Sequence, residues 1–137
     1  MDRFDTLLQE LGQILGVPLH TDKHFMCAIQ VKNRFKVQLQ IDSTQEKLLM
    51  ISKVGEPTAG KFREEVLKHA LLANNLPSLR VGNFAYLSIS NSLVLYQRYP
   101  IDLFNGEKLA SQLLPFISLV EKWHDAISLG QLDLLQA

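Results

Sequence analysis

Seven consecutive residues, Phe35-Lys36-Val37-Gln38-Leu39-Gln40-Ile41, alternate strictly between apolar and polar side chains. Successive side chains of a strand point to opposite faces, so this pattern predicts a strand with one buried and one solvated face. Its neighbours read the same way. Before it, Phe25, Cys27, Ile29 and Val31 alternate with Met26, Ala28, Gln30 and Lys32, and Asn33 supplies a turn. After Ser43-Thr44-Gln45, residues 48–54 form a third strand whose first half, Leu48-Leu49-Met50-Ile51, is apolar on both sides. A parallel crossover needs a dozen or more residues, so connections this short predict an antiparallel meander.

Helical spacing brackets the meander. Phe4, Leu7, Leu8, Leu11, Ile14 and Leu15 recur at steps of three and four, one face of a first helix. Asp2 or Asp5 caps it, and Gly16-Val17-Pro18 stops it. Gly55-Glu56-Pro57 breaks the third strand, and residues 61–74 read as a second helix. Phe62, Val66, Ala70 and Ala73 share its stripe, Leu67, Leu71 and Leu72 widen the apolar arc, and Asn74-Asn75-Leu76-Pro77 ends it. Strands over 84–90 and 93–99 follow, with Asn91-Ser92 suggesting a tight hairpin and Pro100 closing the second. A last helix over about 107–128 buries Leu109, Leu113, Phe116, Ile117, Val120, Trp123 and Ile127, with a kink expected at Pro115 and an end at Gly130. The apolar tail Leu132-Asp133-Leu134-Leu135 is expected to dock on the body or on a partner. No repeat, low-complexity tract or linker interrupts the order α-β-β-β-α-β-β-α. The reading is one α+β domain over residues 1–137, built on an antiparallel sheet.

Composition narrows the function classes. Hydrophobic residues make up 47% of the 137 residues and charged residues 20%, which excludes a disordered chain. Fourteen basic and fourteen acidic side chains cancel and no basic stripe forms, so nucleic acid is not an expected partner. Cys27 is the only cysteine, which rules out an internal disulfide and suits a reducing cytosol. Met1-Asp2-Arg3-Phe4-Asp5 leads straight into the amphipathic pattern, without the basic and apolar regions of a signal peptide. No apolar run reaches the roughly 18 residues of a membrane span. The expectation is a soluble, unexported chain.

Three constellations invite a chemical reading. Gly55-Glu56-Pro57-Thr58-Ala59-Gly60-Lys61 has the spacing of a phosphate-binding loop between a strand and a helix, the basis for an alternative reading as a small nucleotide-binding enzyme. Yet Phe62 stands where a Ser or Thr should reach Mg²⁺, Pro57 removes an N–H donor, Glu56 would repel phosphate, and the preceding strands form a meander. His20, Asp22, His24 and Cys27 are metal-ligand types within eight positions, but the segment is loop-like and Cys27 points inward. Glu64 and Glu65 near His69 read as solvated helix charges, with Glu64 and Lys68 as an i,i+4 pair. Cys27 and His124 make no persuasive dyad, since Cys27 reads as buried. No catalytic residue, metal ligand or cofactor is assigned.

Surplus apolar surface points instead to protein partners. The wide arc of the second helix suits a symmetric dimer, and sheet edges suit strand addition by an extended peptide. Leu67-Lys68-His69-Ala70-Leu71-Leu72-Ala73-Asn74, Leu93-Val94-Leu95-Tyr96-Gln97-Arg98-Tyr99-Pro100-Ile101, and the Phe116, Glu121 and Trp123 spacing of the last helix resemble the class I type III secretion chaperones, the Tir-chaperone or SycE-like group. The resemblance covers nearly the whole chain. It implies a dimeric protein of the bacterial cytoplasm that binds the extended N-terminal region of a secreted effector or gatekeeper and keeps it secretion-competent without ATP. Dimer contacts would come from Leu67, Leu71, Leu72, Tyr86 and Leu87. Apolar patches on the first helix and exposed sheet positions would take the substrate, with Met26, Leu49 and Ile51 chosen by pattern. Members of the group are often acidic whereas this chain is neutral, which bears on substrate choice and is compatible with a related chaperone as second subunit. A regulatory adaptor that uses the same surfaces without escorting exports is a further alternative.

Overall fold

The computed structural model describes residues 2–75 and 81–135. Three long helices and five strands follow in the expected order: α1 (Arg3–Leu15), β1 (Met26–Val31), β2 (Phe35–Ile41), β3 (Lys47–Gly55), α2 (Lys61–Asn74), β4 (Asn83–Leu87), β5 (Ser92–Pro100) and α3 (Gly106–Leu129). Short 3₁₀ turns cover Ile101–Leu103 and Leu132–Leu135. The strands form one antiparallel sheet in the order β1-β2-β3-β5-β4. The meander is therefore local, whereas the β4–β5 hairpin returns across α2 to pair β5 with β3.

Hydrogen-bonding side chains set the boundaries of these elements. Asp2 accepts from the Asp5 N–H to start α1, and Gly16, in the left-handed region at φ 75°, ends it. Asn105 accepts from the Lys108 N–H at 2.8 Å to start α3, and Gly130 closes it. Pro115 lies inside α3, which continues through it. Between β2 and β3 the Asp42 carboxylate accepts from the N–H of Lys47, the hydroxyl of Thr44 and the N–H of Glu46. The Lys47 N–H is the largest cause holding that carboxyl below its ordinary range.

One face of the sheet carries the core. Cys27, Ile29, Val37, Leu39, Leu48, Met50, Leu95 and Tyr99 are buried against Leu7, Leu8 and Leu11 of α1 and Leu109, Phe116 and Val120 of α3. The approach of α1 to α3 is close enough that a Cβ on Gly106 would lie 2.6 Å from the Glu10 Cβ, so only glycine fits there. Trp123 packs on Phe84 with ring centroids 4.2 Å apart, fastening α3 to the hairpin. The tail docks on the body, with Leu132 and Leu135 against the core.

Four local expectations need correction. Phe25 was expected inward on β1 but is 57% exposed, with φ 60°. Asp22 builds a turn there, bonding Met26 O through its own N–H and taking the Phe25 N–H on its carbonyl, so the strand alternation starts one residue later. Ile14 and Leu15 lie in the last turn of α1, outside the core cluster, and are exposed. β4 stops at Leu87, and residues 88–91 form a four-residue turn closed by Asn91 at φ 49°, in place of a tight Asn91-Ser92 hairpin. Lys68 pairs with Glu65 at 3.8 Å, not with Glu64. Leu76 and Pro77, expected to end α2, lie outside the described residues.

Replacing Trp123 by Ala should lower the unfolding free energy by about 3–5 kcal/mol in urea melts, because the Phe84 contact and a buried ring are lost together. A change under about 1 kcal/mol would mean that the ring is not part of the core.

Candidate functional site

The chemical constellations dissolve on folding. Gly55 ends an antiparallel strand, Glu56 pairs with Lys53 at 2.6 Å, and the Pro57 carbonyl accepts from Asn91 Nδ2 at 2.9 Å. The Glu56 carboxylate and the Pro57 carbonyl are thus engaged within the fold. The Asp22 carboxylate accepts from the N–H groups of His24 and Met26, which lowers its pKa, while burial pushes the Cys27 thiol up. Among the described residues no group of three His, Cys, Asp or Glu side chains could hold a metal ion. His124 donates through Nδ1 to the Val54 carbonyl at 2.9 Å, and His69 to the Glu65 carbonyl at 2.8 Å. Neither histidine is placed to serve a nucleophile.

Two apolar surfaces hold the candidate partner-binding residues. The first is the outer side of α2 beside the β4–β5 hairpin. Leu71 and Leu72 are 67% and 66% exposed. A cavity of about 220 Å³ brings Leu67, Leu71 and Tyr86 together over Ala70, Phe84 and Leu93. Leu72 flanks it without lining it. The hairpin is held rigidly: the Tyr86 hydroxyl donates to Asn91 Oδ1 at 2.7 Å. Asn74 at the end of α2 accepts from the Phe84 N–H at 2.8 Å and donates to the Phe84 carbonyl at 3.0 Å. That side chain occupies the free edge of β4 as a further strand would.

The second is the sheet face turned away from α1 and α3. Cross-strand pairing aligns Met26, Gln40, Leu49 and Arg98 in one row and Ala28, Gln38, Ile51, Tyr96 and Asn83 in the next. Met26, Leu49 and Ile51 thus share one face, each half-buried. Leu87 belongs with them: together with Ile51 and Val94 it lines a depression of about 500 Å³ at the end of the sheet. Sequence reasoning missed Val94 and Tyr96 here, because the apolar run Leu93-Val94-Leu95-Tyr96 hides which side each residue faces. It also missed Ile89, fully exposed at the hairpin tip. A third, more open groove of about 710 Å³ runs between α1 and residues 16–21, past Leu8, Val17 and Leu19.

This architecture has known counterparts. The sequence model of the Tir chaperone protein (CesT) family matches residues 6–124, and the chain belongs to that family. No curated protein matches the chain in sequence. Among solved structures, a chain of the HopA1–SchA chaperone–effector complex superposes with a TM-score of 0.73 at 25% identity, covering 90% of this chain and 94% of that one. The ExsC–ExsE complex gives 0.69 at 19% identity, covering 93% and 97%. The Yersinia pestis type III secretion chaperone SycH, in complex with a fragment of YscM2, gives 0.67 at 19%, covering 85% and 96%.

Replacing Asn74 by Ala should destabilise the fold by about 1–3 kcal/mol, since two backbone groups of Phe84 lose their partner. Hydrogen exchange at the Phe84 amide should accelerate. Unchanged exchange would show that Asn74 does not guard the edge.

Proposed function

We propose that this chain works as a single-domain type III secretion chaperone of the bacterial cytoplasm, dimeric, acting without catalysis and without ATP. It binds the N-terminal region of an exported effector or gatekeeper in extended form and keeps it competent for export. The observation that carries the reading is the pair of exposed apolar surfaces on a member of a chaperone family, beside a complete core. Among the described residues no helix is long and apolar enough to cross a membrane.

The two surfaces divide the work. Leu67, Leu71, Leu72 and Tyr86 form the dimer contact; Leu87, expected with them, stands on the outward face instead, because adjacent strand residues point to opposite sides. A buried leucine contributes about 1.5–3 kcal/mol relative to an exposed one, so covering Leu71 and Leu72 is a substantial driving force. Met26, Leu49 and Ile51 on the outward face take the exported segment. Dimerisation through α2 leaves that face free, so one assembly offers two docking faces. The second subunit is a copy of this chain or a related chaperone.

Light scattering on the purified protein should give a mass near twice 15.5 kDa, or a soluble pair only after co-expression with a related chaperone. Leu71→Asp should convert the dimer to monomer or aggregate. A dimer unaffected by that change would move the contact elsewhere, and a stable monomer that binds no exported protein would end the chaperone reading. Ile51→Asp should keep the dimer and weaken capture of the co-expressed exported segment by about tenfold or more, the scale of one buried apolar anchor. Unchanged capture would remove the outward face as the docking surface.

A further inference from the structure

The five strands contain four charged residues, Lys36, Lys47, Lys53 and Arg98, and no Asp or Glu. Strand alternation places all four on the outward face. Lys47 and Lys53 share the parity of Leu49 and Ile51, Arg98 stands opposite Leu49, and Lys36 stands opposite Gln30. The inward positions are buried, so no charge falls there. Lys53 pairs with Glu56 just beyond the strand, and Lys47 sits beside the Asp42 turn. Lys36 and Arg98 have no ion-pair partner among the described residues, and Arg98 lies over the Tyr96 ring, 5.3 Å from its centroid. A chain with no net charge thus presents an outward face of mixed apolar and polar residues on which every charged strand residue is cationic.

We infer that the segment docked on this face is acidic as well as apolar. The inference rests on the outward face being the docking surface of the chaperone and adds what that surface selects. The cations stand in three rows, Lys47 at one end of the sheet opposite Pro100. Arg98 lies in the row of Leu49, and Lys53 and Lys36 lie toward the opposite end, with Ile51 and Tyr96 between. Leu49 and Lys53 are four residues apart on one strand, a span of about 13 Å at 3.3 Å per residue. An extended segment laid along the strands matches the Arg98 row and the Lys53 row when two carboxylates stand four residues apart with apolar side chains between them. Charges in such an arrangement contribute partner choice and encounter rate beyond the apolar contact, and salt screens them. An acidic segment also meets no carboxylate on the strands that would repel it.

Two synthetic peptides test this. They share the same alternating apolar residues and differ only in carrying Glu or Lys at every fourth position. Fluorescence anisotropy on the intact protein should show the Glu peptide binding about tenfold more tightly than the Lys peptide at roughly 0.05 M salt, and the difference should shrink at roughly 0.5 M. The double change Lys36→Glu, Arg98→Glu, at two exposed positions, should reverse the preference while circular dichroism stays unchanged. Equal binding of both peptides, absence of binding by the Glu peptide, or a preference for the Lys peptide would overturn the inference. So would equally tight binding of a single-stranded oligodeoxynucleotide, which would make the face a general polyanion surface. Ile51→Asp separates the two levels. If both peptides bind equally and Ile51→Asp releases both, the docking face stands and charge selection falls. If Ile51→Asp leaves their binding untouched, the docking face itself is wrong.

Discussion

The pairing of β3 with β5 holds this molecule together. It joins the meander of β1, β2 and β3 to a hairpin that returns only after α2. Its register sets Leu48 opposite Tyr99, Met50 opposite Gln97 and Ser52 opposite Leu95, all facing the helices. A slip of one residue would turn one strand of the pair over, sending its part of that set to solvent and carrying Leu49 and Ile51, or Tyr96, into the core. The register is locked at one end by an irregularity between Lys53 and Gly55 and at the other by the Ile101 N–H donating to Glu46 O at 2.9 Å. The composition of both faces depends on this one ladder.

The two ends of the sheet are unlike. At β4, Asn74 bonds the backbone of Phe84 and α2 packs alongside, so that edge is occupied and what remains outward is the leucine ridge of α2. β1 lies at the opposite edge, with no strand beyond it among the described residues. Its hairpin is tied to α3 by the Lys32–Glu121 pair at 3.0 Å and the Arg34–Asp125 pair. These exposed pairs contribute little energy each. They orient the tip, while the core residues Cys27 and Ile29 hold the strand. The leucine ridge of α2 and the outward sheet face are thereby separate surfaces of a small chain.

Period-two and helical spacing made the helices and the first strands legible, because each of them buries one face and shows polar residues on the other, while β4 and β5 were legible as apolar runs bounded by turn residues. What failed was local geometry and distance. Phe25 fits the alternation, but Asp22 closes a turn that puts it in left-handed backbone. Ser88 to Asn91 contain turn residues at several offsets, and the choice among them depends on the Leu87–Ser92 register and on Asn91 reaching Pro57. The β3–β5 neighbour relation lies outside any local window. The candidate dimer residues were legible as an arc too wide for one contact, and Leu71 and Leu72 are exposed accordingly. The exposed sheet positions were only partly legible, since an all-apolar stretch such as Leu93 to Tyr96 has no period.

Net charge was the least informative quantity, because it averages over the segregation that gives the outward face its sign. Strand propensity disfavours Asp strongly and Glu and Lys more weakly, so a shortage of acids in a sheet has a local explanation. That explanation predicts a shortage of lysine as well, yet three lysines and an arginine lie in the strands. Long basic side chains can lay their methylene stems along apolar neighbours while the charge stays in water, and Arg98 sets its guanidinium over the Tyr96 ring. A face built this way covers its own apolar surface in the absence of a partner and still presents that surface, with cations at its margins, when a partner arrives. The same side chains that keep Leu49, Ile51 and Tyr96 soluble therefore also determine which sign of charge can approach them.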